Sequence, residues 1–175
     1  MKILFGSQAR GDATEHSDED VCTIEFGFCL KQVPYDYGGI SNLLFSELQN
    51  PPEHLEPFVW HLLREGRIIE ASPEELGVFE ALRQTAKEPD WLELLAHLDR
   101  RGFCSASRES NVRTIAYVLA HILQPNCGFS MSRVADILGL TPLKKWRTLT
   151  TSERMALAPL LKEKSHAILC HPLCR

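Results

Sequence analysis

The chain opens on a short apolar run, KILF, that stops at Gly6-Ser7 and reads as a buried strand running into a turn. The polar stretch QARGDATEHS that follows has room only for a helical turn or a loop. DEDVCTIEFGFCL is rich in β-branched and aromatic residues and predicts a second strand that begins at its acids. VPYDY predicts a third, shorter strand, closed by Gly38-Gly39. From Ile40 the apolar positions recur every three or four residues. That spacing predicts helices in ISNLLFSELQN and, after Pro51-Pro52, in EHLEPFVWHLLREG, where Gly66 acts as the stop. RIIEA predicts a closing strand.

Beyond it the pattern is helical throughout. SPEELGVFEALRQTA has Ser72 as N-cap, Pro73 at the first helical position and Glu75 three residues after the cap, which predicts a capping box. DWLELLAHLDRRG, ESNVRTIAYVLAHIL, SMSRVADILG and SERMALAPLLKEK predict four more helices. The order of elements predicts an α+β fold in two parts: a small sheet with helices over residues 1–72, then an all-helical domain over residues 73–175, divided near Ala71. Neither an internal repeat nor a low-complexity linker interrupts it.

Composition narrows this picture. A chain of 175 residues that is 44% hydrophobic and 24% charged is globular rather than disordered. No apolar run approaches the roughly 18 to 20 residues of a membrane span, and the first residues lack the pattern of an export signal. We therefore expect a cytoplasmic protein without a membrane partner, whose 6 cysteines are reduced rather than paired. The tail HAILCHPLC brings His166, Cys170, His171 and Cys174 together at a spacing that matches no regular zinc site. Charge is unevenly divided. Residues 1–100 carry 8 Lys and Arg against 19 Asp and Glu, a balance of −11, whereas residues 101–175 carry 11 against 4, a balance of +7. A basic second part points to an anionic partner there, or to attraction between the two parts.

The chemistry is concentrated in FGSQARGDATEHSDED. Acids so close together repel one another unless a cation sits between them. Gly6 allows backbone to come close to a ligand, and Ser7 with the following amides can donate to phosphate oxygens. Asp18 and Asp20, two apart on a strand, project from one face and can bind a divalent metal together, while Glu19 points away. A phosphate cradle and a pair of metal-binding acids explain each other, since metal ions would link a nucleoside triphosphate to the protein.

These residues carry a resemblance. LFGSQARGDATEHSDEDV resembles the signature of the DNA polymerase beta-like nucleotidyltransferases, most closely the small prokaryotic minimal nucleotidyltransferase group, whose pattern runs Gly-Ser-x-Ala-Arg-Gly-(Asp/Glu) and then Ser-Asp-x-Asp. Gly6, Ser7, Ala9, Arg10, Gly11, Asp12, Ser17, Asp18 and Asp20 occupy the fixed positions. PPEHLEPFVWHLLREGRIIE is similar to the end of that domain, where a helix closes on Glu-Gly before a final strand, so the resemblance covers about residues 1–72. It implies the small mixed sheet of that family, binding of ATP or another NTP through Gly6 and Ser7 with Arg10 supporting the loop, and two Mg²⁺ ions on Asp18, Asp20 and a third acid. For the third acid Asp36 is favoured and Glu25 is the alternative, because Glu25 lies five residues beyond Asp20 and strand alternation turns it to the opposite face. The resemblance further implies transfer of a nucleoside monophosphate onto a hydroxyl of a protein or small molecule. Three departures stand against it: no helix precedes the first strand, Glu19 replaces the usual apolar residue between the paired acids, and the helix between the second strand and the third acid is almost absent. A catalytically weak nucleotidyltransferase-fold binding module, with its basic part on nucleic acid or a partner protein, is the alternative.

Two features of the helical part bear on that alternative. In SMSRVADILGLTPLKKWRTL, residues 130–149 have the spacing of a helix-turn-helix with Lys144, Lys145 and Arg147 turned to phosphates, although a helical hairpin with a Gly stop has the same spacing. Arg113 and His121, eight apart, share a helix face but are too far apart for the Arg-x(4–6)-His motif of the HEPN ribonucleases.

Overall fold

A computed structural model describes residues 1–13, 15, 19–27, 41–52, 55–100 and 109–171. The chain divides into two compact units, Met1–Glu88 and Pro89–Arg175.

In the first unit, β1 (Lys2–Phe5) runs into a short helix α1 (Gly6–Arg10), followed by β2 (Asp20–Glu25), β3 (Ser41–Leu44), α2 (Phe45–Gln49), α3 (Glu56–Glu65), β4 (Arg67–Glu70) and α4 (Pro73–Thr85). The four strands form one mixed sheet in the order β3-β2-β1-β4. β1 is antiparallel to both β2 and β4, and β2 is parallel to β3. Ile3 pairs with Cys22 and Ile24 with Leu43, so strand alternation sends all four to one face. There they meet Leu48 of α2, Leu55 just before α3, Val59, Leu62 and Leu63 of α3, and Phe79 of α4. Burying each large side chain of this set stabilises the unit by about 1.5–3 kcal/mol.

The close fit of helix to sheet depends on Gly66. A Cβ there would overlap the Leu62 carbonyl and come within 2.6 Å of Ile3 Cγ2, so only glycine lets the chain leave α3 and enter β4 against β1. Arg83 fastens the same corner from α4. It donates from Nε to the Leu63 carbonyl at 2.8 Å and from Nη2 to the Gly66 carbonyl at 2.6 Å, which satisfies acceptors that the end of α3 leaves open. The capping box expected from sequence starts α4: Ser72 Oγ accepts from the Glu75 amide, and Glu75 Oε2 accepts from the Ser72 amide.

Two sequence expectations for this unit change. ISNLLFSELQN, read as one helix, is the strand β3 followed by the single-turn α2. Its apolar spacing fits either state, and parallel pairing with β2, which turns Leu43 into the core, decides for strand. The boundary expected at residue 72 falls instead after α4, because Phe79 is wholly buried in the core beneath the sheet. The expected strand in VPYDY lies outside the described residues.

The described elements of the second unit are helical: α5 (Trp91–Arg100), α6 (Glu109–Leu123), α7 (Met131–Leu138), a 3₁₀ segment (Thr141–Thr148), α8 (Thr151–Met155) and α9 (Ala158–Leu169). α6 is the central one. Its Ile115, Ala116, Val118, Leu119 and Ala120 are buried, and it packs on α5, α7, α8 and α9. SERMALAPLLKEK, read as one helix, is the pair α8 and α9, since Pro159 has no amide to continue the ladder through that junction. In the segment read as a helix-turn-helix the first helix is α7, but after Gly139 the second is the 3₁₀ segment, broken at Lys145. Leu143 and Trp146 are buried there, whereas Lys144 and Lys145 are exposed, with Lys144 paired to Asp136.

Candidate active site

The junction of β1 and α1 brings the glycine-serine turn to the start of β2. Phe5 pairs with Asp20 in the antiparallel register, so the chain turns into α1 beside the first residue of β2. Gly6 has a left-handed φ of 72°, and a Cβ on it would collide with a carboxylate oxygen of Asp20. The backbone conformation calls for glycine, and the Asp20 carboxylate lies where a side chain would be. Asp20 is half-buried and by alternation shares a face with Cys22 and Ile24.

α1 begins without a side-chain cap. Its N-cap position is Phe5, which has no acceptor to offer the first amides. Ser7 is its second residue, and its carbonyl accepts from the amides of Gly11 at 3.0 Å and Asp12 at 3.1 Å, which closes the turn.

Arg10 engages two carboxylates. It takes Asp12 side-on, Nε to Oδ2 and Nη2 to Oδ1, each at 3.3 Å. Its remaining nitrogen, Nη1, donates to Glu65 Oε2 at 3.2 Å. The same Oε2 lies 3.2 Å from Nδ1 of the buried His61. Burial alone would raise the Glu65 carboxyl, but the imidazole beside it and the charge of Arg10 outweigh that and hold it below the ordinary carboxylate value. Asp12, Arg10, Glu65 and His61 thus form one chain from the end of α1 to α3.

Of the residues nominated from sequence, Gly6, Ser7 and Arg10 lie in α1 and Asp20 at the adjoining start of β2. Asp18 and Asp36, the other two nominated acids, lie outside the described residues. Glu25, the alternative third acid, sits at the far end of β2, five residues or about 17 Å along the strand from Asp20, and faces the other way. Glu65 and His61 were not singled out. Their signal was present as the i,i+4 spacing of HLLRE and the Glu-Gly that closes α3, but a local pattern does not show that this helix face meets α1.

Among the described residues no three His, Cys, Asp or Glu side chains gather in the manner of a metal site. The Asp20 carboxylate, set against the Gly6 backbone, is a hard oxygen donor of the kind that suits a hard divalent cation. Comparison of the chain with known protein families, with curated proteins and with solved structures gives no match.

Proposed function

We propose that the first unit is a nucleotidyltransferase that moves a nucleoside monophosphate, AMP from ATP in the simplest case, onto a hydroxyl of a protein or small-molecule acceptor. The observation that carries this reading is the abutment of Gly6 on Asp20: the turn suited to triphosphate and an acid suited to metal occupy the same place. The unsupported start of α1 fits it, since a local rule broken without structural gain is characteristic of a functional site.

Asp18, Asp20 and Asp36 would hold Mg²⁺, which supplies charge neutralisation on the phosphates when bound. Gly6 lets the backbone approach the triphosphate, and the Ser7 hydroxyl donates to it. The acceptor oxygen bonds to the α-phosphorus as the bond to the bridging oxygen breaks, pyrophosphate leaves, and the hydroxyl proton passes to a carboxylate, for which Asp36 is the assigned base. Arg10 supports the turn through Asp12 and Glu65, and the second N–H on each of its Nη1 and Nη2 is left to donate to the nucleotide.

The test is incubation with labelled ATP, Mg²⁺ and lysate, read by pyrophosphate release and by mass spectrometry for an AMP adduct. Asp18→Asn and Asp20→Asn are expected to abolish both signals without unfolding the chain. Turnover at the unaltered rate in both variants refutes the assignment. The binding-module alternative draws on the +7 balance of residues 101–175 and the exposed Lys145. Salt-sensitive RNA or DNA binding without pyrophosphate release decides for it.

A further inference from the structure

One helix holds both ends of α1. At the start, Phe5 sets its ring edge-on to Phe58 at 5.3 Å and to His61 at 5.7 Å between centroids. At the finish, Arg10 reaches Glu65, whose Oε2 is shared with His61. Phe58, His61 and Glu65 are spaced i, i+3 and i+7 along α3 and so form a single stripe. Its aromatic part meets the residue paired with Asp20, and its ionic part meets the last residue of the cradle helix.

The ionic part is largely out of water, with the Arg10 and Glu65 side chains 19% and 18% exposed. An ion pair so placed adds little to stability beyond what apolar groups of the same shape give. What it does add is geometry. A planar guanidinium that takes one carboxylate side-on and a second through its remaining nitrogen has essentially one orientation, and α1 is fixed with it.

We propose that Glu65, held in place by His61, is the positioning residue of the nucleotide cradle: through Arg10 it sets α1 so that Gly6 and Ser7 stand against Asp20 before any ligand arrives. The ligand's identity rests on the nucleotidyltransferase reading, whereas the setting of α1 does not. Preformed geometry of this kind matters because a small misplacement of binding groups weakens every contact they make.

Arg83 supplies the control. It fastens the same end of α3 with two hydrogen bonds, and its partners are Leu63, Gly66 and, within α4, Glu80, none of them on α1. In the full chain, Glu65→Ala and Arg83→Met are compared by calorimetry with Mg²⁺ and a non-hydrolysable ATP analogue, and by hydrogen exchange at the Gly11 and Asp12 amides, whose bonds to the Ser7 carbonyl report closure of α1. Glu65→Ala is expected to weaken analogue binding by about tenfold or more and to speed that exchange by a similar factor. Arg83→Met is expected to leave both within about twofold while lowering the unfolding midpoint. Glu65→Gln, which keeps an acceptor for Arg10, is expected to recover most of both. Equal weakening in Glu65→Ala and Arg83→Met, or Glu65→Ala with unaltered exchange, overturns the proposal. If the unaltered chain binds no analogue, the nucleotidyltransferase reading falls, and the exchange comparison alone then supports or overturns the role of Glu65 in setting α1.

Discussion

Replacing Gly6 by alanine tests the contact on which the candidate site is built. Two penalties separate cleanly. The left-handed backbone, at φ 72°, costs an L-residue about 1–2 kcal/mol wherever it occurs. The new methyl also meets the terminal oxygen of the half-buried Asp20 carboxylate, which must turn aside, and an off-rotamer side chain costs about 0.5–1.5 kcal/mol more. Gly6→Ala is therefore expected to destabilise the first unit by about 1.5–3.5 kcal/mol. In an Asp20→Ala background the carboxylate is gone. The nearest remaining atom of that residue, its Cβ, is 3.4 Å from the new methyl, an ordinary contact, so only the backbone penalty of about 1–2 kcal/mol survives. The double-mutant cycle should then show coupling of about 0.5–1.5 kcal/mol between positions 6 and 20. Urea unfolding read by pulsed hydrogen exchange in β1 and β2 peptides measures this in the first unit alone. A Gly6→Ala penalty that is the same in both backgrounds refutes the claim that Asp20 stands against the turn.

Three further outcomes follow from particular groups. Arg83→Met should lower stability by about 1–3 kcal/mol, because the Leu63 and Gly66 carbonyls lose their donors at the end of α3; chemical denaturation with an unchanged midpoint contradicts it. Glu65 has its folded pKa below the ordinary carboxylate value, so the stability it contributes is fully present above that value and is lost as pH falls through the folded pKa. Glu65→Gln should flatten the acid limb of a stability-against-pH curve, and a limb that keeps its slope excludes Glu65 as its source. Burial pushes the Cys22 thiol up to about 12, leaving about one part in ten thousand as thiolate at pH 8, so iodoacetamide should modify exposed Cys170 and spare Cys22 until the chain unfolds; labelling of Cys22 at the same rate as Cys170, read by peptide mass spectrometry, contradicts this.

What sequence alone determined was local. Ser72, Pro73 and Glu75 form their capping box as the spacing foretold, since all three groups lie within one helical turn. KILF and RIIE are strands, and the Gly6-Ser7 turn between strand and helix could be read from the residues themselves. ISNLLF was misread because its apolar spacing suits helix and strand alike, and only the neighbouring β2 supplies the backbone partners that select strand. Phe79 drew α4 into the first unit for a related reason: a helix goes where its apolar side chains are buried, here Phe79 with Leu82 beside it, and a composition change near Ala71 does not reveal that place.

For the candidate site the division is sharper. Sequence nominated Gly6, Ser7, Arg10 and Asp20 because the chemistry needs those residue types at that spacing. Tertiary structure decided that Gly6 and Asp20 touch, through the Phe5–Asp20 register, and that Arg10 turns to Glu65 on a helix more than fifty residues away. An ion pair across that separation depends on how α1 and α3 are both laid on the sheet, and that placement is set by the burial of Ile3, Leu62 and their neighbours rather than by anything near either charge.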